Sequence, residues 1–561
     1  MMKVLPIGMD NFREIREGEY YYVDKTLLIK DFLAYRNKVS LITRPRRFGK
    51  TLNMTMLRDF FDIQQDSLAI FDGLSIMETE YANQINSRPV IFLTLKNCSG
   101  RNIDEMCISL AKSIRNEYFK YEPIFSEKVD PKSNDYLAFY KTYEMLKEVS
   151  EENIIDDRGV VQKIYKVDRT LLKSSLTELI KSVCVFYDKK PVLLIDEYDQ
   201  PLIKAHDMGY RETFSKEIYG SFLGIALKGN DYLEQALLTG IQRIAKESIF
   251  SEINNFIVYT VLDEQYASYF GLNTDETKEL LEYYDLELNK EVTSYYDGYS
   301  FADVEVYNPW SILNYAYKKT LQSYWINTST NGLIRESILK ADSRFHSSFK
   351  KLIADGDVAI RLNLDASFIE LAKTETLWGL LVNAGYLTVI DADYRLRRFT
   401  VRIPNEEIKH EFELIVSDYT KLSSEMLQDM FLALIDSDTD EFLSIYRELV
   451  LDSTSFHDSR ENAYHMLFLG MVMNLRELYE IKSNIESGHG RSDIIMKSKD
   501  ISRPHILIEF KQGADVEKLK YEALKQIHDN QYYAGLEGEV LCVGIAHDIK
   551  ICQLVSEIVK C

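Results

Sequence analysis

The stretch "SLITRPRRFGKTLNM" (Ser40–Met54) joins an apolar run to a basic turn and then to an amphipathic pattern. The general phosphate-binding pattern G-x-x-x-x-G-K-[ST] begins with a glycine, and this chain has Arg44 at that position. Gly49, Lys50 and Thr51 follow the pattern. The stretch therefore raises the question of whether the turn binds a nucleotide or is a basic turn that only imitates such a site.

The chemistry of such a site requires a strand, a loop and a helix in this order. We predict the strand at "KVSLIT" (38–43) and the helix at "TLNMTMLRDFF" (51–61). Backbone N–H groups at the helix start surround phosphate oxygens, Lys50 neutralises phosphate charge, and the Thr51 hydroxyl binds Mg²⁺. We assign nucleotide contacts to the whole loop, namely Arg44, Pro45, Arg46, Arg47, Phe48, Gly49, Lys50, Thr51 and Leu52.

A second motif supports the nucleotide interpretation. "VLLIDEYDQ" (192–200) is an apolar strand that ends in two adjacent carboxylates, Asp196 and Glu197. A charge is costly beside a core, so two carboxylates at the end of a buried strand need a reason. We predict that Asp196 acts on the Mg²⁺ shell and that Glu197 orients and deprotonates the attacking water. The alternative is an acidic surface turn.

A third segment, "LLTGIQRIAKESIF" (237–250), adds two candidate nucleotide contacts. Thr239 ends a predicted strand, where a polar side chain can sense the γ-phosphate. Arg243 follows, and an arginine there can stabilise transition-state charge in the same chain or across a subunit interface. A homo-oligomer through this module therefore stays open. Structural capping and surface charge are the alternatives for these two residues.

Several segments together resemble the AAA-ATPase-like family of bacterial proteins. In that family the loop is typically written R-P-R-R-F-G-K-[ST], so Arg44 follows the family's own form. The resemblance implies a P-loop ATPase that uses ATP and Mg²⁺, commonly followed by a PD-(D/E)XK nuclease domain. The segments that carry it are "LPIGMDNFREIREGEYYYVDKTLLIKDFL", "LITRPRRFGKTLNMTMLRDFF", "LLIDEYDQPL", "LTGIQRIAKESIFSEINN" and "YYDGYSFADVEVYNPWSILN".

Near the C-terminus, the spacing of carboxylates predicts a second metal site. Side chains alternate along a strand, so Glu509 and Lys511 of "HILIEFK" (505–511) share one face. Asp493 opens the preceding strand, and in a hairpin it would meet Glu509. Two carboxylates suit Mg²⁺ or Mn²⁺, which generates the nucleophile, while Lys511 assists charge stabilisation.

Two further residues extend this pattern. Glu461, on a predicted helix before the sheet, could complete the metal shell, and Gln526, on the helix after it, could support the site or the substrate backbone. The order Glu, G-R-x-D, E-x-K and Q-x-x-x-x-x-Y resembles the PD-(D/E)XK superfamily, with Ser492 in place of the nominal proline. A surface E-x-K pair, or a domain of this fold that binds without cutting, is the alternative.

Length and periodicity predict an α/β protein of several domains. A chain of 561 residues is too long for a single core. Short apolar strands alternate with helical patterns in the N-terminal part, which indicates a parallel sheet, and a winged-helix-like pattern and a separate α/β pattern follow. Together with these patterns, the resemblance implies a P-loop NTPase parallel sheet, a helical and winged-helix-like lid, and a restriction-endonuclease-like α/β domain. The predicted domains are 1–265 (ATPase), 266–410 (lid), 411–455 (helical connector) and 456–561 (nuclease-like).

Composition limits the partners and the compartment. The net charge of −21 excludes a uniformly basic nucleic-acid surface, so any DNA or RNA contact must be local. No apolar run reaches the ~20 residues of a membrane helix, and the N-terminus lacks a signal pattern, so we expect a cytoplasmic protein without membrane contact. The six scattered cysteines favour reduced thiols.

These patterns favour an ATP-controlled nuclease, with DNA as the expected substrate and RNA not excluded. One alternative is a nucleotide-dependent switch whose C-terminal domain binds nucleic acid or protein without cutting. In another, Arg44 prevents hydrolysis and bound ATP only holds the ATPase and the lid together. The basic stretch "YRLRRF" (394–399) could contact DNA, although we favour a lid that packs on the ATPase.

Overall fold

The protein was analysed as a computed structural model in which the chain divides into two compact units. The first unit comprises Met1–Thr328, Arg361–Phe399 and Pro404–Glu406, and the second comprises Ser329–Ile360, Thr400–Ile403 and Glu407–Cys561. The structure describes residues 2–155, 161–243, 256–325, 337–338, 341–364, 374–412, 424–453, 475, 478–487, 490–500, 502–548 and 551–561.

The first unit is built on a parallel five-stranded sheet with strand order β2-β5-β6-β1-β7. β1 is buried along its whole length, including Ser40 and Thr43, as expected for a strand inside a parallel sheet. The strands of this unit, in chain order, are β1 (Val39–Thr43), β2 (Val90–Thr94), β3 (Ser150–Ile155), β4 (Val161–Lys166), β5 (Val192–Asp196), β6 (Gln235–Gly240), β7 (Phe256–Tyr259), β8 (Tyr299–Phe301), β9 (Val304–Val306) and β11 (Thr388–Asp393).

Long amphipathic helices cover the sheet and supply the core. Leu110 of helix Ile103–Lys128 and Leu176 of helix Arg169–Tyr187 are buried in one cluster with Leu41 and Leu193 of the strands. The α-helices of this unit are Phe12–Glu17, Leu27–Tyr35, Lys50–Phe61, Leu68–Phe71, Ile103–Lys128, Asn134–Lys147, Arg169–Tyr187, Gln200–Asp207, Arg211–Phe214, Gly220–Leu227, Thr274–Tyr283, Lys290–Tyr296, Pro309–Lys318 and Thr374–Ala384.

The winged-helix-like segment belongs largely to this first unit. Helix Thr374–Ala384 turns at Gly385 into β11, as the sequence predicts. Gly385 adopts a φ of +88°, and an added Cβ there would lie 2.9 Å from Cβ of Pro45. The hydroxyl of Tyr299 donates a hydrogen bond to the carbonyl of Gly385 (3.0 Å). This turn therefore packs directly on the loop that follows β1.

The second unit contains a mixed five-stranded sheet with strand order β13-β14-β15-β16-β17. β14 and β15 are antiparallel, whereas β15 and β16 are parallel, and helix Val516–Asp529 connects them. β12 (Arg398–Arg402) leads from the first unit into the second. The other strands of this unit are β10 (Asp357–Ile360), β13 (Tyr479–Ser487), β14 (Gly490–Ser498), β15 (His505–Gln512), β16 (Glu539–His547) and β17 (Cys552–Lys560).

The second unit also contains the helices Ser343–Asp355, Ser424–Ile435, Thr439–Ser453 and Val516–Asp529. The α/β fold class is confirmed, with a parallel sheet in the N-terminal region and a mixed sheet in the C-terminal region. Most of the predicted helix at 461–478 lies outside the described residues. Within the described ranges, no helix is long and apolar enough to cross a membrane.

Candidate functional site

The loop between β1 and helix Lys50–Phe61 has the backbone geometry of an anion site. Gly49 precedes the helix with a φ of +79°, in the left-handed region that glycine reaches at little cost. No side chain caps the helix at this position. The first N–H groups of the helix therefore keep their hydrogen-bonding capacity for an anion, and the helix dipole favours negative charge there.

The Lys50 side chain folds over this loop. Its Nζ donates hydrogen bonds to the carbonyls of Arg44 (3.0 Å) and Pro45 (2.8 Å), and the residue is only 7% exposed. Burial lowers the pKa of Lys50, while Glu197 and Asp196 act in the opposite direction. The ammonium group is thus held among carbonyls and carboxylates, close to the N-terminus of its own helix.

Asp196 connects three elements at the carboxyl edge of the sheet. One carboxylate oxygen accepts a hydrogen bond from the Thr51 hydroxyl and the other accepts one from the Thr239 hydroxyl, both at 2.7 Å. Asp196 and Thr239 are fully buried. A hydroxyl and a carboxylate oxygen in contact are the ligand types that Mg²⁺ prefers, so Thr51 and Asp196 fit the predicted ion.

Glu197 follows Asp196 with an unusual backbone conformation. Its φ is +52°, which is uncommon for a residue other than glycine and is often associated with functional sites. Burial raises the pKa of Glu197, the nearby Lys50 opposes that shift, and the carboxylates of Asp196 and Asp199 reinforce it. A carboxylate with a raised pKa beside a lysine is suited to accept a proton from water.

Arg44 is not at the surface of the loop. Its side chain is fully buried, and Nη1 donates hydrogen bonds to the carbonyls of Thr43 (2.8 Å) and Tyr259 (3.2 Å). The guanidinium carbon lies 5.6 Å from the ring centre of Phe270 and 5.2 Å from that of Phe301. The part of Arg44 that reaches the Lys50 ammonium is therefore its backbone carbonyl, and its guanidinium lies in the aromatic interior.

The other loop residues differ in their surroundings. Arg46 is half-buried, and burial lowers its pKa while Glu197 and Asp199 act in the opposite direction. The exposed Arg47 lies 4.3 Å above the ring of Trp310. Phe48 is fully buried, with its ring 5.0 Å from that of Tyr299 and 5.2 Å from that of Phe301, which anchors the loop. Among the three arginines, Arg46 has the electrostatic surroundings closest to those of Lys50.

A mainly apolar cavity of about 90 Å³ adjoins Gly49. The sequence does not predict this cavity, because its walls come from segments that are distant in sequence. Lys25 in its wall donates hydrogen bonds to Glu276 (2.6 Å) and to the carbonyl of Ser268 (2.7 Å). The lining residues are Pro6, Ile15, Tyr21, Tyr22, Val23, Lys25, Phe48, Gly49, Leu52, Asn53, Tyr269, Gly271, Leu272, Leu280, Pro309 and Leu313.

The structure brings Asp493 and Glu509 together across the β14–β15 pair. Ile494 lies opposite Ile508, so Asp493 and Glu509 are at the next position of this ladder. The N–H of Asp493 donates to Glu509 (3.3 Å), and the N–H of Phe510 donates to Asp493 (2.9 Å). Two adjacent carboxylates fit Mg²⁺ or Mn²⁺, which commonly bind one or two protein carboxylates and keep several waters.

Lys511 and Gln526 complete this cluster. The ammonium of Lys511 lies 3.9 Å from a Glu509 oxygen and donates to the side-chain oxygen of Gln526. The Gln526 amide in turn donates to Glu509 and to the hydroxyl of Tyr532 (3.1 Å). The side chain of Gln526, on helix Val516–Asp529, therefore connects the two predicted catalytic residues of β15.

Burial dominates the electrostatics of the cluster. Desolvation, reinforced by the nearby Asp493 carboxylate, raises the pKa of Glu509 to about 8. The hydrogen bond from the Asp493 N–H and the charge of Lys511 oppose this shift. A divalent cation would relieve the repulsion between the two carboxylates, and this provides a physical reason for the pair to bind one.

Two of the predicted site residues have little or no described environment. Glu461 lies outside the described residues. Arg243 is half-buried and directly precedes 244–255, which are also outside them. Within the part of the chain that the structure describes, no group of three or more His, Cys, Asp or Glu side chains could hold a metal ion. Among the described residues, the C-terminal cluster therefore offers two carboxylates, Asp493 and Glu509, to a metal ion.

Comparison with known proteins matches two separate regions of the chain. Residues 6–250 match the model of the AAA-ATPase-like family, described as predicted AAA-ATPases. An uncharacterized protein in the vnfD 5' region of Azotobacter chroococcum mcd 1 is 24% identical over 416 residues, which cover 72% of this chain and 68% of that protein. Residues 459–557 match the model of the PD-(D/E)XK nuclease superfamily. The chain thus resembles the AAA-ATPase-like family over residues 6–250 and the PD-(D/E)XK nuclease superfamily over residues 459–557.

Proposed function

We propose that this protein binds and hydrolyses ATP with Mg²⁺ in its N-terminal module, and that nucleotide controls metal-dependent cleavage of DNA by its C-terminal module. The observation that carries the proposal is the Asp196 carboxylate, which contacts Thr51 and Thr239 beside Lys50. A bound Mg²⁺ would neutralise phosphate charge there. Lys50 and the helix N-terminus would hold the phosphates, and Glu197 would orient and deprotonate water.

The same proposal assigns the nuclease chemistry to the second cluster. Asp493 and Glu509 would hold Mg²⁺ or Mn²⁺, and Lys511 would stabilise negative charge on the scissile phosphate. Gln526 would hold the side chains of Lys511 and Glu509 in position relative to each other. DNA as substrate is inferred from the superfamily match, and RNA is the alternative nucleic acid.

The organisation that we propose follows from these roles. Residues 1–265 form the ATPase module, 266–410 the lid, 411–455 a helical connector and 456–561 the nuclease module. The contact of Gly385 with Pro45 supports a lid that responds to the nucleotide loop. We place the protein in the bacterial cytoplasm, with Arg243 acting within the chain or across a homo-oligomer.

The decisive experiment measures DNA cleavage with Mg²⁺ or Mn²⁺, with and without ATP. The proteins are wild type, Lys50→Ala, Glu509→Ala and Lys511→Ala, with Lys518→Ala as a control at an exposed lysine of the same unit. We expect Glu509→Ala and Lys511→Ala to abolish cleavage, and Lys50→Ala to abolish only its dependence on ATP. Cleavage by Lys511→Ala at the wild-type rate would refute the nuclease assignment.

The cavity beside Gly49 would hold the base of ATP. Its apolar walls suit a flat ring, and Gly49, Leu52 and Asn53 in its lining place it beside the helix N-terminus that would hold the phosphates. Leu52→Trp should fill the cavity and weaken ATP binding at least about tenfold, or about 1.4 kcal/mol, with no effect on inorganic tripolyphosphate. Leu68→Trp, at an exposed position, is the control. Equal losses for both ligands would contradict this placement.

A second function is supported by one observation. The Gln526 amide donates to Glu509, so one of the predicted metal-ligand oxygens already has a partner. A nucleotide-dependent switch whose C-terminal domain binds without cutting would be compatible with this contact and with the net charge of −21. Calorimetric titration with Mn²⁺ separates the two functions, because the switch predicts no binding that depends on Asp493.

A further inference from the structure

The buried carboxylate of Asp199 connects two segments of the ATPase site. Asp199 is 2% exposed and lies two residues after Glu197. One of its oxygens accepts hydrogen bonds from the backbone N–H groups of Ile241 (2.9 Å) and Gln242 (3.0 Å). Ile241 and Gln242 directly follow β6, which ends at Gly240, one residue after Thr239. The turn after β5 therefore holds the chain where it leaves β6.

Tyr198 connects the same two segments. Its N–H donates to the carbonyl of Thr239 (3.0 Å), and its hydroxyl donates to the carbonyl of Gln242 (2.6 Å). The backbone carbonyl of Tyr198 accepts a hydrogen bond from the hydroxyl of Tyr219 (2.5 Å), so a third segment holds the Tyr198 backbone. Tyr198 is fully buried, and water cannot easily replace these bonds.

Gly240 shows how closely the segments approach. A Cβ added to Gly240 would lie 2.7 Å from an Asp199 oxygen and 2.7 Å from the Tyr198 ring. The carbonyl of Gly240 also accepts a hydrogen bond from the N–H of Arg44 (3.1 Å). A larger residue would separate the turn after β5 from the end of β6, and would disturb the start of the phosphate loop.

A buried carboxylate needs compensation, and the charges around Asp199 come from the proposed site itself. Lys50 and Arg46 are the nearby cations, and Glu197 is a nearby anion whose pKa Asp199 helps to raise. The two backbone N–H groups offset part of the desolvation cost. The hydrogen bonds that Asp199 accepts from the described residues come from backbone N–H groups, so its role would be indirect.

We propose that Asp199 is a positioning residue of the ATPase site, which holds Thr239 and the adjoining 240–243 segment in register with Glu197. This inference rests on the proposed ATP hydrolysis. The contact orients the γ-phosphate sensor relative to the residue that orients water, so its loss should affect the chemical step more than nucleotide binding. A displacement of about 1 Å at such a site can cost about 100-fold in rate.

The test compares Asp199→Ala with Asp62→Ala, because alanine has no oxygen to accept the backbone hydrogen bonds. Asp62 is 1% exposed and also accepts a backbone hydrogen bond, from Gln64. It lies at the far end of helix Lys50–Phe61, about 18 Å along the helix from Lys50. We expect Asp199→Ala to lower kcat for ATP hydrolysis about 10- to 100-fold and to change KM less than about threefold, whereas Asp62→Ala lowers thermal stability with kcat unchanged.

Two further measurements exclude a merely structural effect. Hydrogen exchange should show lost protection at Ile241 and Gln242 in Asp199→Ala, and unchanged protection there in Asp62→Ala. Tyr198→Phe should lower kcat by a smaller factor, and its combination with Asp199→Ala should lose less than the product of the two factors, because both act through one contact.

Three outcomes would separate failure of the role of Asp199 from failure of the proposed ATPase function. An unchanged kcat or unchanged protection in Asp199→Ala overturns the inference and leaves the proposed ATPase standing. Equal losses of kcat in the Asp199 and Asp62 variants also overturn it, because general destabilisation then explains the effect. A wild-type protein that hydrolyses no ATP contradicts the proposed function itself, and with it this role of Asp199.

Discussion

At the scale of single residues, the arginine at position 44 has a packing role that its place in the loop pattern does not reveal. The Arg44 guanidinium lies between two aromatic rings and donates to two carbonyl groups at the ends of β1 and β7. Burial lowers its pKa to about 9, with Asp263 acting in the opposite direction, so the group is still charged at neutral pH. The energy of this arrangement depends on packing and cation–π contact.

We predict that Arg44→Ala lowers the free energy of unfolding by about 2–4 kcal/mol, because it leaves a cavity and two carbonyls without their donor. The affinity of the folded protein for ATP should change less than about threefold, or about 0.6 kcal/mol. Denaturant unfolding and calorimetric titration measure the two effects. Arg47→Ala, at an exposed arginine of the same loop, is the matched control. A large loss of affinity with unchanged stability would show that Arg44 acts on the nucleotide.

The raised pKa of Glu509 predicts that the free energy of unfolding of the metal-free protein depends on pH. The pKa of Glu509 is about 8 in the folded chain, against 4.5 for an ordinary glutamate. Between these values the folded chain holds a proton that the unfolded chain has released, so the free energy of unfolding falls as pH rises from about 4.5 to about 8. The side chain in the Glu509→Gln variant cannot ionise, so this variant should not lose stability as the pH rises.

Scanning calorimetry in EDTA at pH 5 and pH 8 measures this effect. We expect Glu509→Gln to raise the melting temperature of the second unit at pH 8 by about 2–4 °C for each kcal/mol recovered, and to raise it less at pH 5. Glu522→Gln, at a more exposed glutamate of the same unit, is the control. Equal gains at both pH values would contradict the assigned cause.

At the scale of elements, strand order explains why the predicted residues meet. β6 lies between β1 and β5, so the residues at their carboxyl ends, Thr239 and Asp196, adjoin the loop after β1. The sequence predicted β1, β5 and β6 to within a few residues, because each is a short, mainly apolar run bounded by polar residues. It did not predict β13 or β17, where the polar residues interrupt the apolar pattern.

Helix Val516–Asp529 sets the geometry of the second cluster, because it presents Gln526 to β15. Gln526→Ala should lower the cleavage rate about tenfold, since Lys511 and Glu509 lose their shared partner, with stability changed by less than about 1 kcal/mol. Initial rates with saturating Mn²⁺ measure the effect. Lys525→Ala, one residue earlier on the same helix, is the control, and a wild-type rate for Gln526→Ala would refute the bridging role.

At the scale of the whole molecule, each compact unit has its own hydrophobic core. The first unit is centred on the parallel sheet and the second on the mixed sheet. Because each unit has its own core, we expect calorimetry to show two unfolding transitions. Each unit also has its own predicted ligand, and ATP with Mg²⁺ at about 100 times its Kd should stabilise the first unit by about 2.7 kcal/mol.

The ligand dependence assigns each transition to a unit. Lys50→Ala should cancel the effect of ATP, and Asp493→Asn should cancel the effect of Mn²⁺ on the other transition, each without altering the opposite response. A single transition that both ligands raise would contradict two separately folding units. In that case the two sites would have to be treated as parts of one cooperative structure.

The sequence alone determined the short apolar strands and the polar residues in or near them, because strand periodicity and the residues next to a strand are local properties. Lys50, Asp196, Asp493 and Glu509 were all predicted as site residues in this way. Only the tertiary structure decided that Arg44 is enclosed by Phe270 and Phe301, that a cavity adjoins Gly49, and that Asp199 holds the end of β6. These contacts join residues tens to hundreds of positions apart, and no local pattern records which distant side chains will pack together.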